Sequence, residues 1–365
     1  MLDRFLSPHR SLAVAGLVVS LAVSGCSSKA EGDVACDGEV CTPKPAFASG
    51  LLGAVLVTPY SVYVAERSTC SLYVADKPLR TARGIVKNAC NVAVLARTDG
   101  ALFWTSVPYA TEQEKTPKGM LAMVSDDDPN PVVIDETLDN PRGLAVLGGH
   151  TVYLAVAGGI RKVAPGSKRL ESVLDVPFPP QALRAFDGAL YWHDGFRSIV
   201  RWRPGEEKAT TIVENAELRS PPVLTYTRDP FEVDASGIYW MTGDFFGGGG
   251  AMQHVLLSGG IAGTVLKPTG YIRSISLDAD HVYWSEADQV LLPKNTNLNR
   301  MPKADLGRAT VIGALADDVT ALQVAADGLY IAASPNVTDF DFEKLRFQRY
   351  GGPLLVLPRA VLDSL

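Results

Sequence analysis

Asp187-Gly188-Ala189-Leu190-Tyr191-Trp192 is the segment of the chain with the strongest structural signal. Asp-Gly between two apolar runs is typical of a β-hairpin turn, because both residues tolerate the positive φ angles that such a turn requires. The apolar run before the turn and Leu190-Tyr191-Trp192 after it therefore predict two antiparallel strands. Residues 199–202 and 210–213 add two further short apolar segments, so the sequence predicts a unit of four strands.

The same unit occurs seven times along the chain. Each copy centres on an aliphatic residue followed by an aromatic residue. The copies are Val62-Tyr63-Val64, Leu102-Phe103-Trp104, Val152-Tyr153-Leu154, Leu190-Tyr191-Trp192, Ile238-Tyr239-Trp240, Val282-Tyr283-Trp284 and Leu329-Tyr330-Ile331. The central aromatic residues are separated by 40, 50, 38, 48, 44 and 47 residues. A period near 45 with four strands per unit is typical of propeller blades, and a β-sandwich or β-helix explains the even spacing poorly.

We therefore predict an all-β fold, a β-propeller of seven four-stranded blades. The central aromatic residues are expected to pack between neighbouring sheets. The sequence leaves two possibilities for how the ring closes. The outermost strand of the last blade is predicted to come either from residues 359–362 or from residues near 46–51.

The repeated phrase resembles the YWTD repeats of low-density-lipoprotein-receptor-like (class B) propellers. The Thr-Asp half of that phrase is missing, because Trp104 is followed by Thr105-Ser106 and Trp284 by Ser285-Glu286. Those receptor propellers also have six blades, whereas seven copies occur here. The resemblance implies the structure of the blade and does not transfer the receptors' ligands.

The amino terminus carries an export signal. Arg4 and Arg10 precede an apolar run, residues 12–23, which is too short to span a membrane but fits a secretory signal peptide. The following Leu21-Ala22-Val23-Ser24-Gly25-Cys26 resembles the lipobox of bacterial lipoproteins, and this resemblance implies lipidation of Cys26, with palmitate among the acyl chains. An ordinary signal peptide that ends near a cysteine is the alternative.

This signal divides the chain into three parts: a signal peptide over 1–25, a lipidated flexible tether over 26–46 and a propeller domain over 47–365. The tether is rich in Ser, Gly, Asp and Pro, which is typical of a flexible spacer. Two or three acyl chains hold a protein stably on a bilayer, so we expect a lipid-anchored protein of the bacterial cell envelope. Ser27 follows the lipidated cysteine in place of Asp, which favours the outer membrane.

Four further cysteines, Cys36, Cys41, Cys70 and Cys90, form an even set in a chain exported to an oxidising compartment. Three pairings are possible, and we favour Cys36 with Cys41 and Cys70 with Cys90 because both close short loops. Their spacings match no zinc pattern, which argues against the alternative of a metal site.

Composition excludes one class of function. The chain of 365 residues has 34 Lys and Arg against 40 Asp and Glu, so its net charge is −6, and a strongly basic nucleic-acid binder is excluded. Hydrophobic residues make up 47% of the chain, which is enough for a folded core.

The connections after the aromatic strands predict an interaction surface. Four of them are long, and propeller topology places all four on one face. These connections span residues 106–119, 242–251, 286–297 and 333–349. The binding candidates around the channel mouth on that face are Arg142, Arg228, Tyr271 and Arg273. We expect the ligand to be an envelope protein, a glycan or a small molecule, with no cofactor.

The alternative is a metal-dependent hydrolase or lyase, similar in outline to bacterial propeller lactonases. His193 would act as a general base, and Asp194, Asp244 and Glu286 would hold a divalent cation such as Ca²⁺ or Mg²⁺. These residues come from different blades and have no diagnostic spacing. Carboxylates at such positions more often tie neighbouring blades together.

Overall fold

The seven predicted hairpins form the two inner strands of seven antiparallel blades, each of four strands. The computed structural model describes residues 35–37, 40–42, 44–48, 52–66, 69–77, 79, 82–107, 118–194, 198–214, 216, 231–242, 250–289, 294–316, 318–334, 340–341, 346–347 and 353–364. The predicted signal peptide, Cys26 and the start of the tether lie outside these residues.

Three short strands precede the blades, and they are β1 (Ala35–Asp37), β2 (Val40–Thr42) and β3 (Lys44–Ala48). Blades 1 to 3 comprise β4 (Leu52–Val57), β5 (Ser61–Glu66), β6 (Ser71–Asp76), β7 (Ala82–Val86), β8 (Val92–Arg97), β9 (Ala101–Ser106), β10 (Gly119–Ser125), β11 (Val132–Leu138), β12 (Gly143–Leu147), β13 (Thr151–Val156), β14 (Gly159–Val163) and β15 (Leu170–Asp175).

Blades 4 to 6 comprise β16 (Gln181–Phe186), β17 (Ala189–His193), β18 (Ile199–Trp202), β19 (Thr210–Val213), β20 (Phe231–Asp234), β21 (Gly237–Met241), β22 (Met252–Val255), β23 (Gly263–Leu266), β24 (Tyr271–Leu277), β25 (His281–Ala287), β26 (Thr296–Pro302) and β27 (Thr310–Leu315). The last part of the chain comprises β28 (Asp318–Ala325), β29 (Gly328–Ser334), β30 (Phe340–Asp341), β31 (Arg346–Phe347), β32 (Pro353–Pro358) and α1 (Arg359–Ser364).

The sheets are arranged in a closed ring. The first strand of each blade is the innermost one, and it contacts the first strands of the two neighbouring blades. These contacts run β4 to β8, β12, β16, β20, β24 and β28, and from β28 back to β4. The predicted seven-bladed β-propeller is therefore confirmed.

The core lies between neighbouring blades, as the recurring aromatic residues predicted. Tyr191 of blade 4 packs with Phe231 and Trp240 of blade 5, and Trp240 is 1% exposed. Tyr239 in turn packs with Trp284 of blade 6. Because each blade buries its aromatic side chains against the next one, burial of a large apolar area holds the ring together.

Three of the aromatic residues are also held at their polar ends. The hydroxyl of Tyr283 donates to Asp278 at 3.0 Å, and that of Tyr330 donates to Asp327 at 2.6 Å. The Tyr239 hydroxyl lies 3.1 Å from that of Ser236. Each partner belongs to the turn of the same hairpin, so polar turn residues satisfy the one polar group that a packed tyrosine brings into the core.

Blade 7 takes its outer strand from the amino-terminal part of the chain. β3 pairs antiparallel with β32, with Lys44 opposite Val356 and Ala48 opposite Pro353. Of the two closures left open by the sequence, the amino-terminal one is confirmed, while Arg359–Ser364 forms the helix α1 rather than a strand. β3 extends across the predicted boundary at residue 47.

The hairpin of β1 and β2 lies on the outer edge of blade 6. β2 runs parallel to β27, with Cys41 opposite Gly313, so the sheet of blade 6 has six strands. Cys36 and Cys41 are partners in the hairpin register. Their disulfide stays a prediction.

The second predicted disulfide is confirmed. Cys70 and Cys90 are bonded, with their Cα atoms 4.2 Å apart. The bond links the turn after β5 to the connection between blades 1 and 2. The backbone N–H of Ala89 also donates to the Cys70 carbonyl at 2.6 Å, so the bond and the backbone fix the same junction.

Polar side chains join the innermost strands where the ring closes. The Gln323 amide of blade 7 accepts from the Val57 N–H at 2.9 Å and donates to the Val57 carbonyl at 3.3 Å. Between blades 6 and 7, the Ser276 hydroxyl accepts from the Val324 N–H at 2.9 Å. These bonds satisfy backbone groups on the free edges of the inner strands, which would otherwise be buried without partners.

Replacing Gln323 by leucine is expected to lower the free energy of unfolding by about 2 kcal/mol, because both polar groups of Val57 lose their partner in a half-buried site. Urea denaturation measures the change. Gln253→Leu is the matched control, since the Gln253 amide donates only to Thr264 on the exposed outer part of blade 5. Equal effects of the two substitutions would contradict a role for Gln323 in closing the ring.

Candidate functional site

The two faces of the propeller differ in the length of their connections. Within each antiparallel blade, the turns after the first and third strands lie on one face, which we call the hairpin face. The connections after the second and fourth strands lie on the opposite face, which we call the long-loop face. Turns after first strands have two or three residues, whereas twelve separate Ser106 from Gly119 and ten separate Met241 from Met252. The observed topology therefore places the long connections predicted from the sequence on one face of the propeller.

Charged side chains are accessible on the long-loop face. Lys118 and Asp139 form an ion pair there and keep 50% and 57% of their side chains exposed. Arg142 is half-buried, and its Nε donates to the Asn140 side chain at 2.7 Å. A pair this exposed contributes little to stability, so Lys118 and Asp139 leave charges of both signs accessible on this face.

The other binding candidates are less accessible. Arg273 has 5% of its side chain exposed and lies between blades 6 and 7. Its Nε is 3.3 Å from an Asp318 carboxylate oxygen, and its Nη2 donates to the Gln289 carbonyl at 3.3 Å. Tyr271 begins β24, is half-buried and pairs with Ala287. Arg228 lies outside the described residues.

His193 is buried at the end of β17. It is 2% exposed, its ring meets that of Phe231 edge-on with centroids 6.4 Å apart, and its backbone pairs with Gln181. A general base must reach the substrate's proton, and this histidine is enclosed by protein. The geometry assigns it to the packing between blades 4 and 5.

The two described carboxylates of the catalytic alternative are engaged by the backbone. One oxygen of Asp194 accepts from the Ser198 N–H at 3.1 Å, which closes the loop between β17 and β18. Glu286 accepts from the Gly270 N–H at 2.6 Å and from the Thr269 hydroxyl at 2.9 Å, and thereby holds the connection that enters blade 6. Asp244 lies outside the described residues.

Within the described residues, no three His, Cys, Asp or Glu side chains are grouped so that they would hold a metal ion. Asp194 and Glu286 are on different blades and have separate hydrogen-bond partners. The structure does not bring them together with His193 into one site.

A polar network that the sequence analysis missed lies on the hairpin face. Arg359 of α1 donates to Asp278 of the blade 6 hairpin at 2.7 Å, and Arg300 donates to the Leu362 carbonyl at 2.6 Å. Leu362 itself is fully buried. The network therefore attaches the carboxyl-terminal helix to blade 6, and the only sequence signal for it is the Asp that begins the hairpin turn.

The pKa of Asp278 lies below its usual value. Burial alone would raise this pKa, but the Arg359 guanidinium, two backbone N–H groups and the Tyr283 hydroxyl outweigh burial. Burial of the phenol is the main reason that the pKa of Tyr283 is raised, and the Asp278 carboxylate raises it further. The ionised form of Asp278 is thus the form that stabilises the fold.

The stabilisation from Asp278 is expected to depend on pH. The pKa of Asp278 is lower in the folded protein than in the unfolded chain, so its contribution to stability is fully present above the unfolded pKa, near 3.8. The contribution is lost as the pH falls through the pKa of the folded protein. Asp278→Asn should therefore cost about 2 kcal/mol at neutral pH and progressively less as the pH falls below 3.8. Thermal unfolding of both proteins at neutral pH and through the acid range measures this. Asp305→Asn is the control, since that side chain is 61% exposed, and a cost for Asp278→Asn that persists unchanged in acid would contradict the assignment.

Comparison with known proteins shows the fold alone. No protein-family model matches the chain, and no curated protein matches its sequence. Solved structures do match: U3-55K at 13% identity over 87% of this chain and 100% of that chain, with a TM-score of 0.58, and the WD40 repeats of RRP9 at 12% identity over 86% and 98%, with a TM-score of 0.56. A chain of the nidogen–laminin complex matches at 11% identity over 64% and 88%, with a TM-score of 0.43.

The described part of the chain contains no helix that is long and apolar enough to cross a membrane.

Proposed function

We propose that the chain is a lipid-anchored protein of the bacterial cell envelope whose propeller is a binding or scaffolding module. Its ligand, an envelope protein, a glycan or a small molecule, binds the long-loop face. The observation that carries this proposal is that the described catalytic candidates are used by the fold: His193 is buried between blades 4 and 5, and Asp194 and Glu286 accept hydrogen bonds from the backbone of nearby loops. The repeated Tyr-Trp phrase further supports grouping the blades with those of the YWTD type.

The architecture supports a binding role. A rigid ring with long connections on one face is the arrangement in which loops carry recognition. Lys118, Asp139 and Arg142 lie on that face where the chain passes from blade 2 to blade 3, and the side chains of Lys118 and Asp139 are 50% and 57% exposed. The accessible charges are therefore available for specificity.

Photo-crosslinking in the intact envelope tests this proposal. A photoreactive residue at Lys294, which is exposed on the long-loop face of blade 6, is expected to capture a discrete partner. The same residue at Lys208, which is exposed on the hairpin face of blade 4, is the matched control. Equal crosslinking from both positions would contradict the proposal. A rise in Tm on adding Ca²⁺ or Mg²⁺ would instead favour the metal-dependent enzyme.

The anchor is tested separately through Cys26. Cys26→Ser is expected to abolish labelling by a palmitate analogue and to release the protein from the membrane fraction. Ser27→Ala is the control and should leave both unchanged. Retention of Cys26→Ser in the membrane would contradict lipid anchoring.

A further inference from the structure

The chain enters the described blades at the outer edge of blade 6. The edge strand β1 pairs antiparallel with β2, and Ala35 at its start lies opposite Thr42 at the end of β2. β2 in turn runs parallel to β27, with Cys41 opposite Gly313. The residues before β1 therefore approach blade 6 from the end of β27 that carries Leu315.

That end of blade 6 belongs to the long-loop face. β27 is the fourth strand of its blade, so it begins on the hairpin face at Thr310 and ends on the long-loop face at Leu315. The six residues of β27 span about 20 Å, which is the distance between the two faces at this edge. The predicted tether is thus attached to the propeller at the rim of the long-loop face.

The predicted tether is short. Eight residues, 27–34, separate Cys26 from β1. A flexible chain of that length has a root-mean-square end-to-end distance of about 16 Å and a fully extended length of about 30 Å. A lipid on Cys26 would therefore hold the rim of the long-loop face about 16 Å from the bilayer.

We infer that the long-loop face is the membrane-proximal face of the propeller and that its partner is a protein embedded in the same membrane. This inference rests on the proposed lipid anchor and binding face, and it narrows the ligand to one class. A gap of about 16 Å admits the short exposed loops of an embedded protein. A folded soluble domain, about 30 Å across, does not fit into that gap.

The charges on this face favour a protein over lipid headgroups. Side chains of both signs are exposed on its connections, and they include Lys118, Lys267, Lys294, Asp139 and Asp288. The chain has a net charge of −6, whereas attraction to an anionic bilayer surface requires clustered Lys and Arg. Charges of both signs are instead complementary to a protein surface that also carries both.

Blade 6 offers a matched pair of positions for measuring the orientation. Lys294 is exposed in the connection between β25 and β26, on the long-loop face. Arg308 keeps 77% of its side chain exposed in the turn between β26 and β27, on the hairpin face. Because both positions belong to one blade, a difference between them reports which face is closer to the bilayer.

Energy transfer to a labelled bilayer tests the orientation. The mature lipidated protein, with a fluorescent amino acid in place of Lys294 or of Arg308, is reconstituted into vesicles of phosphatidylethanolamine and phosphatidylglycerol that carry an acceptor on their headgroups. Quenching at position 294 is expected to exceed quenching at position 308 at least about twofold, because position 308 is about 20 Å farther from the bilayer.

Flotation of the same vesicles separates the two proposals. Protein that floats but is quenched equally at both positions, or more strongly at position 308, overturns the orientation and leaves the anchor intact. Lipidated protein that does not float overturns the anchor and the orientation together.

The class of partner is tested in the intact envelope. A cleavable photoreactive residue replaces Lys294 or, as the control, Arg308, and cleavage after purification releases the captured protein. Stronger capture from position 294 is expected, and the released protein should enter the detergent phase when a nonionic detergent solution is separated into two phases. A released protein that stays in the aqueous phase overturns the membrane-embedded partner but not binding at the long-loop face. Equal capture from both positions overturns that binding and this inference with it.

Discussion

A chain that begins at residue 49 is expected to lose at least about 4 kcal/mol of folding free energy, because removing β3 unpairs the outer edge of β32. The register contains four residue pairs between these strands, from Lys44 with Val356 to Ala48 with Pro353. A domain of ordinary stability has only 5–15 kcal/mol to lose, so much of the population should be unfolded at 37 °C.

The neighbouring side chains make this loss larger. Leu354 and Leu357 of β32 are fully buried and Leu355 is 4% exposed, so a loosened strand would expose apolar surface. An unpaired, apolar edge strand is also a template for aggregation. Urea denaturation followed by circular dichroism measures the stability, and light scattering measures the association that accompanies it.

A chain that begins at residue 34 is the control for this truncation. It lacks the predicted signal peptide and the first eight residues of the predicted tether, Cys26 among them, but retains β1, β2 and β3. Its stability is expected to equal that of the mature protein within about 0.5 kcal/mol, since it retains every strand that the structure describes. If both truncated chains were equally stable, ring closure through β3 would be refuted.

The sequence predicted the blades because their signal is local. Tyr191-Trp192 and the Asp-Gly turn before it lie within six residues, and an aliphatic residue followed by an aromatic residue recurs in every blade. The closing strand carries no copy of that pattern, and Pro45 within it is unusual for a strand. The structure explains its presence, because β3 is an edge strand, where a missing backbone N–H costs little.

The candidate site was predicted less well because its contacts are not local in the sequence. Sequence placed polar side chains at strand ends, but their partners come from other blades or other loops. Asp318 is 45 residues from Arg273, and no spacing rule connects them. A carboxylate that binds a cation and one that accepts from a backbone N–H, as Glu286 does, have the same sequence signature.

Arg273→Leu is expected to lower the free energy of unfolding by about 3 kcal/mol, although the sequence grouped Arg273 with the binding residues. The substitution leaves the Asp318 carboxylate without its partner at the junction of blades 6 and 7, and breaking a buried pair from one side costs 3–5 kcal/mol. The lower end applies because Asp318 keeps 25% of its side chain exposed and regains some water.

Two comparisons separate this structural role from a role in binding. In the double variant Arg273→Leu/Asp318→Asn, the second substitution should recover part of the loss, because the uncompensated charge is removed. Arg142→Leu, at a half-buried position on the same face, should change stability by no more than about 0.5 kcal/mol. Urea denaturation of the unsubstituted protein, Arg273→Leu, Asp318→Asn and the double variant gives the coupling energy. A neutral Arg273→Leu would return this residue to the binding candidates, whereas the expected loss assigns it to the junction of blades 6 and 7.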